Sequence, residues 1–197
     1  MRIARLALEE KGVAHDLEPV DIFAPQGVSE SYRHRHPFGR IPAFEHNGVS
    51  IIETTAICRY IDEAFPGPAL QPDDPVERAL VNQIVAMLDA YAYRPLVWDI
   101  YVERVSQPAH GAPSDEVRIA AALPVARHFL ETLQRFAVLA PWLAGDRLTL
   151  ADLHAAPMIA LFAKAREGRA LLDEVPALAG WLERISARDS FRRTEPS

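Results

Sequence analysis

The sequence predicts a small α+β domain followed by an all-α helical bundle, and three observations carry that prediction. Residues 40–52 read as two short apolar runs joined by Asn47-Gly48, a strong signal for a two-residue hairpin. The stretch PGPALQPDDP at 66–75 is rich in proline and breaks the pattern on either side of it. Beyond that break, apolar residues recur every three to four positions, which is the period of a helix. The expected organisation is a first domain over residues 1–67, a linker over 68–75 and a helical domain over 76–197.

Each element has a local reason. RIARLALEEK at 2–11 puts Ile3, Leu6 and Ala7 on one helical face, and Gly12 is a natural stop. A strand is expected over 16–20, then a Pro/Gly/Ser loop and a short helical piece reaching Arg35. Pro42 cannot donate to a ladder, so it belongs at the start or edge of its strand. Thr54 and Thr55 are suited to cap a helix over 54–65, with Ile57, Ile61, Ala64 and Phe65 inward. A long helix over 76–104 carries Leu80, Ile84, Leu88 and Tyr91 at helical spacing, with Pro95 bending or interrupting it. Another runs from Asp115 to about Leu139, kinked at Pro124. Thr149-Leu150-Ala151-Asp152 has the spacing of a capping box, and the helix after it, to about Lys164, is apolar on most sides and therefore central. Pro176 opens a last helix with Leu178, Trp181, Leu182 and Ile185 inward.

Composition narrows the function classes. The chain has 197 residues, 49% hydrophobic and 24% charged, with a net charge of −6. Residues 1–67 hold 7 basic and 10 acidic side chains and the remainder 14 and 17, so neither half is basic. Nucleic acid and anionic membrane are excluded as expected partners. No apolar run approaches the ~20 residues of a membrane span. A single cysteine provides no internal disulfide and fits a reducing, cytoplasmic setting. His34-Arg35-His36 reads as a solvated helix end, Cys58 as packing and His154 as a core histidine. No metal is implied.

Four motifs in order resemble a cytosolic glutathione transferase: LALEEKG in the first helix, HPFGRIPAF before the hairpin, IIETTAICRYI after it and LAGDRLTLADLHAAP in the helical half. PFG-x-IPAF and ADLH are most similar to phi-type enzymes and their bacterial relatives. The resemblance implies a thioredoxin-like first domain, an all-helical second domain and a homodimer. It also implies glutathione as co-substrate and an apolar electrophile as acceptor, bound in a cleft between the domains. Carried over residue by residue, it implies that Ile41, before a cis Pro42, pairs its backbone with the cysteinyl part of glutathione. Glu53 would meet the amine of the γ-glutamyl end and Thr54 its carboxylate. Arg40 stands where phi-type enzymes often have a glutamine that contacts the peptide. Met87, Tyr91 and Trp98, part of an aromatic stripe with Tyr93 and Tyr101, are candidates for the acceptor site, with half of that stripe expected in the core.

Two departures accompany the resemblance. The family places a first strand, and a loop carrying Ser, Cys or Tyr against the glutathione sulfur, ahead of the first helix. This chain starts at Met1-Arg2-Ile3, so that residue would precede Met1, the first domain reads as incomplete and no catalytic residue is assigned. The His-Lys pair that phi-type enzymes set on the glycine carboxylate is replaced by Gly27 and Val28, which leaves Arg40 as the best substitute. For the chain as written, weak retention on glutathione and negligible turnover are expected. Conjugation of glutathione to an apolar electrophile, non-catalytic glutathione binding on the same fold, and reductase or dehalogenase chemistry all stay open on the sequence.

Overall fold

The first helix, α1 (Arg2–Lys11), ends where the sequence says it should. Gly12 adopts φ 67, and the amides of Gly12 and Val13 donate back to the carbonyls of Glu9 and Leu8. These features belong to a computed structural model that describes residues 1–137 and 140–195. The chain forms two compact units, Met1–Ala69 together with the tail from Thr194, and Leu70–Arg193. The tail joins the first unit through the Thr194 carbonyl, which accepts from Arg5 Nη1 at 3.4 Å.

In the first unit, α1 is followed by α2 (Glu30–Arg35), β1 (Ala43–His46), β2 (Val49–Ile52) and α3 (Thr54–Ala64). Ser29 caps α2 by accepting from the Tyr32 amide at 3.2 Å. Asn47 and Gly48 take φ values of 49° and 80°, the left-handed pair that a tight two-residue hairpin requires. β1 and β2 pair antiparallel, His46 opposite Val49 and Ala43 opposite Ile52. α1 packs on α3, and Ala4, Leu6, Ala7 and Leu8 of the first and Ile57, Cys58 and Ile61 of the second are buried.

Several expectations are corrected here. Residues 16–20 form no strand: a strand exists only by pairing, and among the described residues the sheet has two strands, β1 and β2. The cap of α3 is Glu53 and not a threonine, with Thr54 as the first helical residue. Ala64 is exposed, since Ile57, Cys58 and Ile61 already fill the inward face. Cys58 is fully buried, as packing requires.

Lys11 fixes the end of α1 to α3. Its ammonium lies 3.2 Å from the Asp62 carboxylate, with side chains only 3% and 6% exposed, and also donates to the carbonyls of Asp62 and Pro68. Gly67 passes so close that a Cβ there would sit 3.0 Å from the Lys11 carbonyl oxygen, at a φ of 120°.

The second unit is helical throughout. It holds α4 (Pro75–Met87), α5 (Leu88–Ser106), a short helical turn at Gln107–Ala109, α6 (Glu116–Ala137), α7 (Leu150–Phe162), α8 (Arg166–Asp173), α9 (Pro176–Ser186) and α10 (Asp189–Arg193). α5 has the wider π winding and runs on through Pro95, where a bend or interruption was expected. α6 likewise continues through Pro124. Its expected end at Leu139 lies outside the described residues. α10 is an additional helix after the one expected to be last.

α7 is the centre, packed against α4, α5 and α9 with nearly every side chain buried, His154 among them. Its start is built on one carboxylate. Asp152 accepts the Thr149 amide at 2.8 Å and its hydroxyl at 3.0 Å on one oxygen. The other oxygen accepts the Leu143 amide at 2.9 Å and the indole N–H of Trp181 at 2.8 Å. The Leu150 amide donates to the carbonyl of Leu70 at 2.9 Å, tying the beginning of the unit to the same helix end.

The Asp152 cluster can be tested by substitution and by pH. Asp152→Ala strands three buried N–H donors at about 1–3 kcal/mol each, whereas Thr149→Ala costs about 0.5–2 kcal/mol, so urea unfolding should rank Asp152→Ala clearly below Thr149→Ala. Equal losses would contradict this reading. Burial pushes the Asp152 carboxyl above its ordinary 3.8, against the four donors that pull it down. A proton held more tightly in the folded state stabilises below that value, and the contribution is lost as pH rises through the raised one. The stability of the wild type relative to Asp152→Asn should therefore fall as pH climbs through that window.

Lys11→Met removes the ammonium from a buried carboxylate and should cost about 3–5 kcal/mol in denaturant unfolding, most of it regained in Lys11→Met/Asp62→Leu. A single variant as stable as the wild type would refute the assignment.

Candidate glutathione site

The hairpin decides which residues of the first unit face one another. Ala43 pairs with Ile52 as the last pair of the ladder, so Pro42 lies just before β1 and Glu53 just after β2, at the same end of the hairpin. The Ile41–Pro42 peptide is cis. The backbone just before it is held from the side: the Tyr32 hydroxyl donates to the Arg40 carbonyl at 2.7 Å. Tyr32 is buried, and burial raises its phenol pKa, so it remains a donor at neutral pH. Gly39, at φ 61, turns the chain into this stretch and donates its amide to the His36 carbonyl at 2.8 Å.

On the opposite side, Glu53 takes φ 68 and ψ 118, which is uncommon for a residue with a side chain, and its carboxylate is exposed. Its carbonyl already accepts the Ile57 amide at 3.0 Å, so the residue is half inside the helix. Its side chain makes no capping bond, and the first turn of α3 contains no acid. Glu53 therefore leaves the start of α3 without a capping carboxylate of its own, and Thr54 is its first residue. Arg40 is exposed. Among the described residues, neither Arg40 nor Glu53 has an ion partner.

This end of the hairpin thus carries an exposed carboxylate, a hydroxyl at a helix start, an exposed guanidinium and a stretch of backbone held by Tyr32. It suits a small peptide that carries an amine and two carboxylates. Of the residues expected from sequence, Arg40, Ile41 and Pro42 lead into β1, and Glu53 and Thr54 follow β2 at the same end of the hairpin. Tyr32 was missed, because its bond to Arg40 crosses between elements and leaves no local mark. The solvated helix end is half right: His34 is exposed, but His36 is only 2% exposed and stacks on Tyr32 with ring centroids 6.4 Å apart. The turn at Pro37–Gly39 folds that ring inward. Among the described residues, no group of three or more His, Cys, Asp or Glu is gathered to hold a metal ion.

Met87, Tyr91 and Trp98 lie in the second unit, Met87 at the end of α4 and the others on α5. Tyr91 is 64% exposed, and Met87 and Trp98 are half-buried. The expectation that half of the aromatic stripe is core is not met. Leu88, Ala92, Leu96 and Ile100 take the inward face at four-residue spacing, leaving all five stripe residues at least partly open.

Residues 1–69 match the family profile "Glutathione S-transferase, N-terminal domain", and residues 90–189 match "Glutathione S-transferase, C-terminal domain". The chain is 28% identical to Glutathione S-transferase F13 of Arabidopsis thaliana over 97% of its own length and 88% of that protein. Its fold superposes on glutathione transferase F7 of Populus trichocarpa with a TM-score of 0.86 at 27% identity, covering 98% of this chain and 91% of the other. The theta class glutathione S-transferase of Xanthomonas axonopodis pv. citri, solved with glutathione bound, gives a TM-score of 0.86 at 27% identity, covering 100% and 91%. The chain belongs to the glutathione S-transferase family.

Proposed function

We propose that the protein binds glutathione and transfers it to an apolar, electrophilic small molecule. The observation that supports the reading is the hairpin register, which ends with Ala43 opposite Ile52 and so leaves Arg40-Ile41-Pro42 and Glu53-Thr54 leading from the same end of the ladder. In this reading Glu53 takes the γ-glutamyl amine, while Thr54 and the leading amides of α3 take its carboxylate. The Ile41 backbone pairs with the cysteinyl residue, and Arg40 meets the glycine carboxylate. Holding glutathione in this way converts a bimolecular collision with the electrophile into a positioned one. No side chain of this chain is assigned to activating the sulfur, so the proposal gives these residues binding and orientation.

Met87, Tyr91 and Trp98 are proposed to contact the acceptor; their support is partial exposure on one helical stretch rich in aromatic surface. The protein is proposed to act as a homodimer in the cytoplasm. Among the described residues, no helix is long and apolar enough to cross a membrane.

Two measurements test the reading: calorimetric titration with glutathione, and conjugation of 1-chloro-2,4-dinitrobenzene. A charge-assisted hydrogen bond contributes about 1.5–3 kcal/mol, so Glu53→Ala should weaken glutathione binding at least tenfold and reduce conjugation with it. Unchanged affinity in that variant would overturn the role given to Glu53. Binding without any conjugation would favour a glutathione-binding protein that does not catalyse transfer.

A further inference from the structure

Arg33 and Arg40 are both exposed, and among the described residues neither has an acidic partner. Arg35, between them in sequence, is already engaged: its guanidinium pairs with Glu18 and lies 3.5 Å from Glu45. A guanidinium carries five N–H donors in a planar fork that matches a carboxylate. The forks of Arg33 and Arg40 are left for a ligand.

Exposure alone marks no site; the placement of Arg33 does. Its Nη2 lies 3.4 Å from the point where a Cβ on Gly27 would stand, so the guanidinium fills space that a side chain there would take. Gly27, at φ 73, closes a turn by donating its amide to the Ala24 carbonyl at 2.7 Å. The next residue, Val28, places Cγ2 3.3 Å from the corresponding point on Gly39. The Arg33 guanidinium, Gly27-Val28 and Gly39-Arg40 therefore form one unbroken run. Tyr32, the residue before Arg33, reaches the same stretch through its bond to the Arg40 carbonyl at 2.7 Å. Two consecutive residues of α2 thus adjoin the chain that leads into Pro42, Tyr32 directly and Arg33 by way of the 27–28 turn.

We propose that Arg33 joins Arg40 in binding the glycine carboxylate of glutathione, and that the pair makes the site selective for a peptide with a free C-terminal carboxylate. The inference rests on the glutathione reading, in which the γ-glutamyl end lies at Glu53 and Thr54 and the cysteinyl backbone at Ile41. An extended tripeptide spans about 10 Å at ~3.3 Å per residue. A ligand held at Glu53 by one end and at Ile41 in its middle carries its other carboxylate past Ile41, toward the Gly39-Arg40 turn. One exposed guanidinium holds a carboxylate weakly in water. A second one adds both charge and a fork of donors.

The test is calorimetric titration with glutathione and with γ-glutamylcysteinylglycinamide, in which a neutral amide replaces the C-terminal carboxylate. The wild type should bind glutathione about tenfold more tightly than the amide, the factor that a charge-assisted hydrogen bond supplies. Arg33→Gln should lose most of that preference by weakening glutathione while leaving the amide unchanged, with an unaltered urea midpoint. The side-chain Nε–H signal of Arg33 in nitrogen-edited spectra should shift on adding glutathione and stay in place on adding the amide. Glu53→Ala should weaken both ligands alike and keep the preference. An undiminished preference in Arg33→Gln would overturn the inference, and so would equal weakening of both ligands, which would mark a structural role. A preference lost in Arg33→Gln while the wild-type Arg33 signal stays unmoved by glutathione would overturn direct contact in favour of general attraction. Glutathione binding that needs Glu53 but is indifferent to Arg33 would sink this inference alone. No glutathione binding by the wild type at millimolar concentration would overturn the glutathione reading and this inference with it.

Discussion

With only Asn47 and Gly48 between them, β1 and β2 can pair in one register, and the site depends on it. The left-handed dihedrals of the two turn residues match the natural twist of a hairpin, so the pairing does not drift. Slipping the register by one residue would send every strand side chain to the other face and would part Pro42 from Glu53. The same turn therefore sets both the inward face of the hairpin and which residues lead from its far end, Arg40 to Pro42 on one side and Glu53 with Thr54 on the other. Tyr32 refines it from the side by holding the Arg40 carbonyl in place.

Both units rely on single buried charges that serve several backbone groups at once. Asp152 gathers four donors from three parts of the second unit, and Lys11 gathers a carboxylate and two carbonyls in the first. Such groups cost desolvation and return it only when every bond is made. Their partners come from segments far apart in sequence, such as Trp181 and Leu143, or Asp62 and Pro68. They consequently specify which segments meet, beyond what apolar burial alone would demand. The residues of the glutathione site are arranged in the opposite way. Glu53 and Arg40 are exposed and without ion partners among the described residues, so their bonding capacity is left for a ligand.

What could be read from the sequence was what depends on near neighbours in the chain. Gly12 stops a helix, Ser29 and Thr149 start others, and Asn47-Gly48 turns a hairpin through bonds that close within a few residues. The site residues Arg40 to Pro42 and Glu53-Thr54 were legible for the same reason, since the hairpin that joins them is local. What escaped depends on distant partners. Residues 16–20 have the composition of a strand but no neighbour to pair with. The phenol of Tyr32 finds a carbonyl in another element. His36 is folded inward by a turn whose direction its composition does not reveal. The aromatic stripe on α5 looks like core until four aliphatic residues occupy the inward face. Glu53 displaced the threonines as cap because its backbone, in a left-handed conformation, makes the transition from strand to helix.

The central claim is that glutathione lies across the end of the hairpin, between the Arg40–Pro42 backbone and the start of α3. An amide chemical-shift titration with glutathione tests it most directly, because it reads position residue by residue without requiring catalysis. The account predicts that the amides of Ile41, Glu53, Thr54 and Thr55 shift together and saturate at one affinity. Binding that leaves those amides unmoved and shifts residues elsewhere would contradict it.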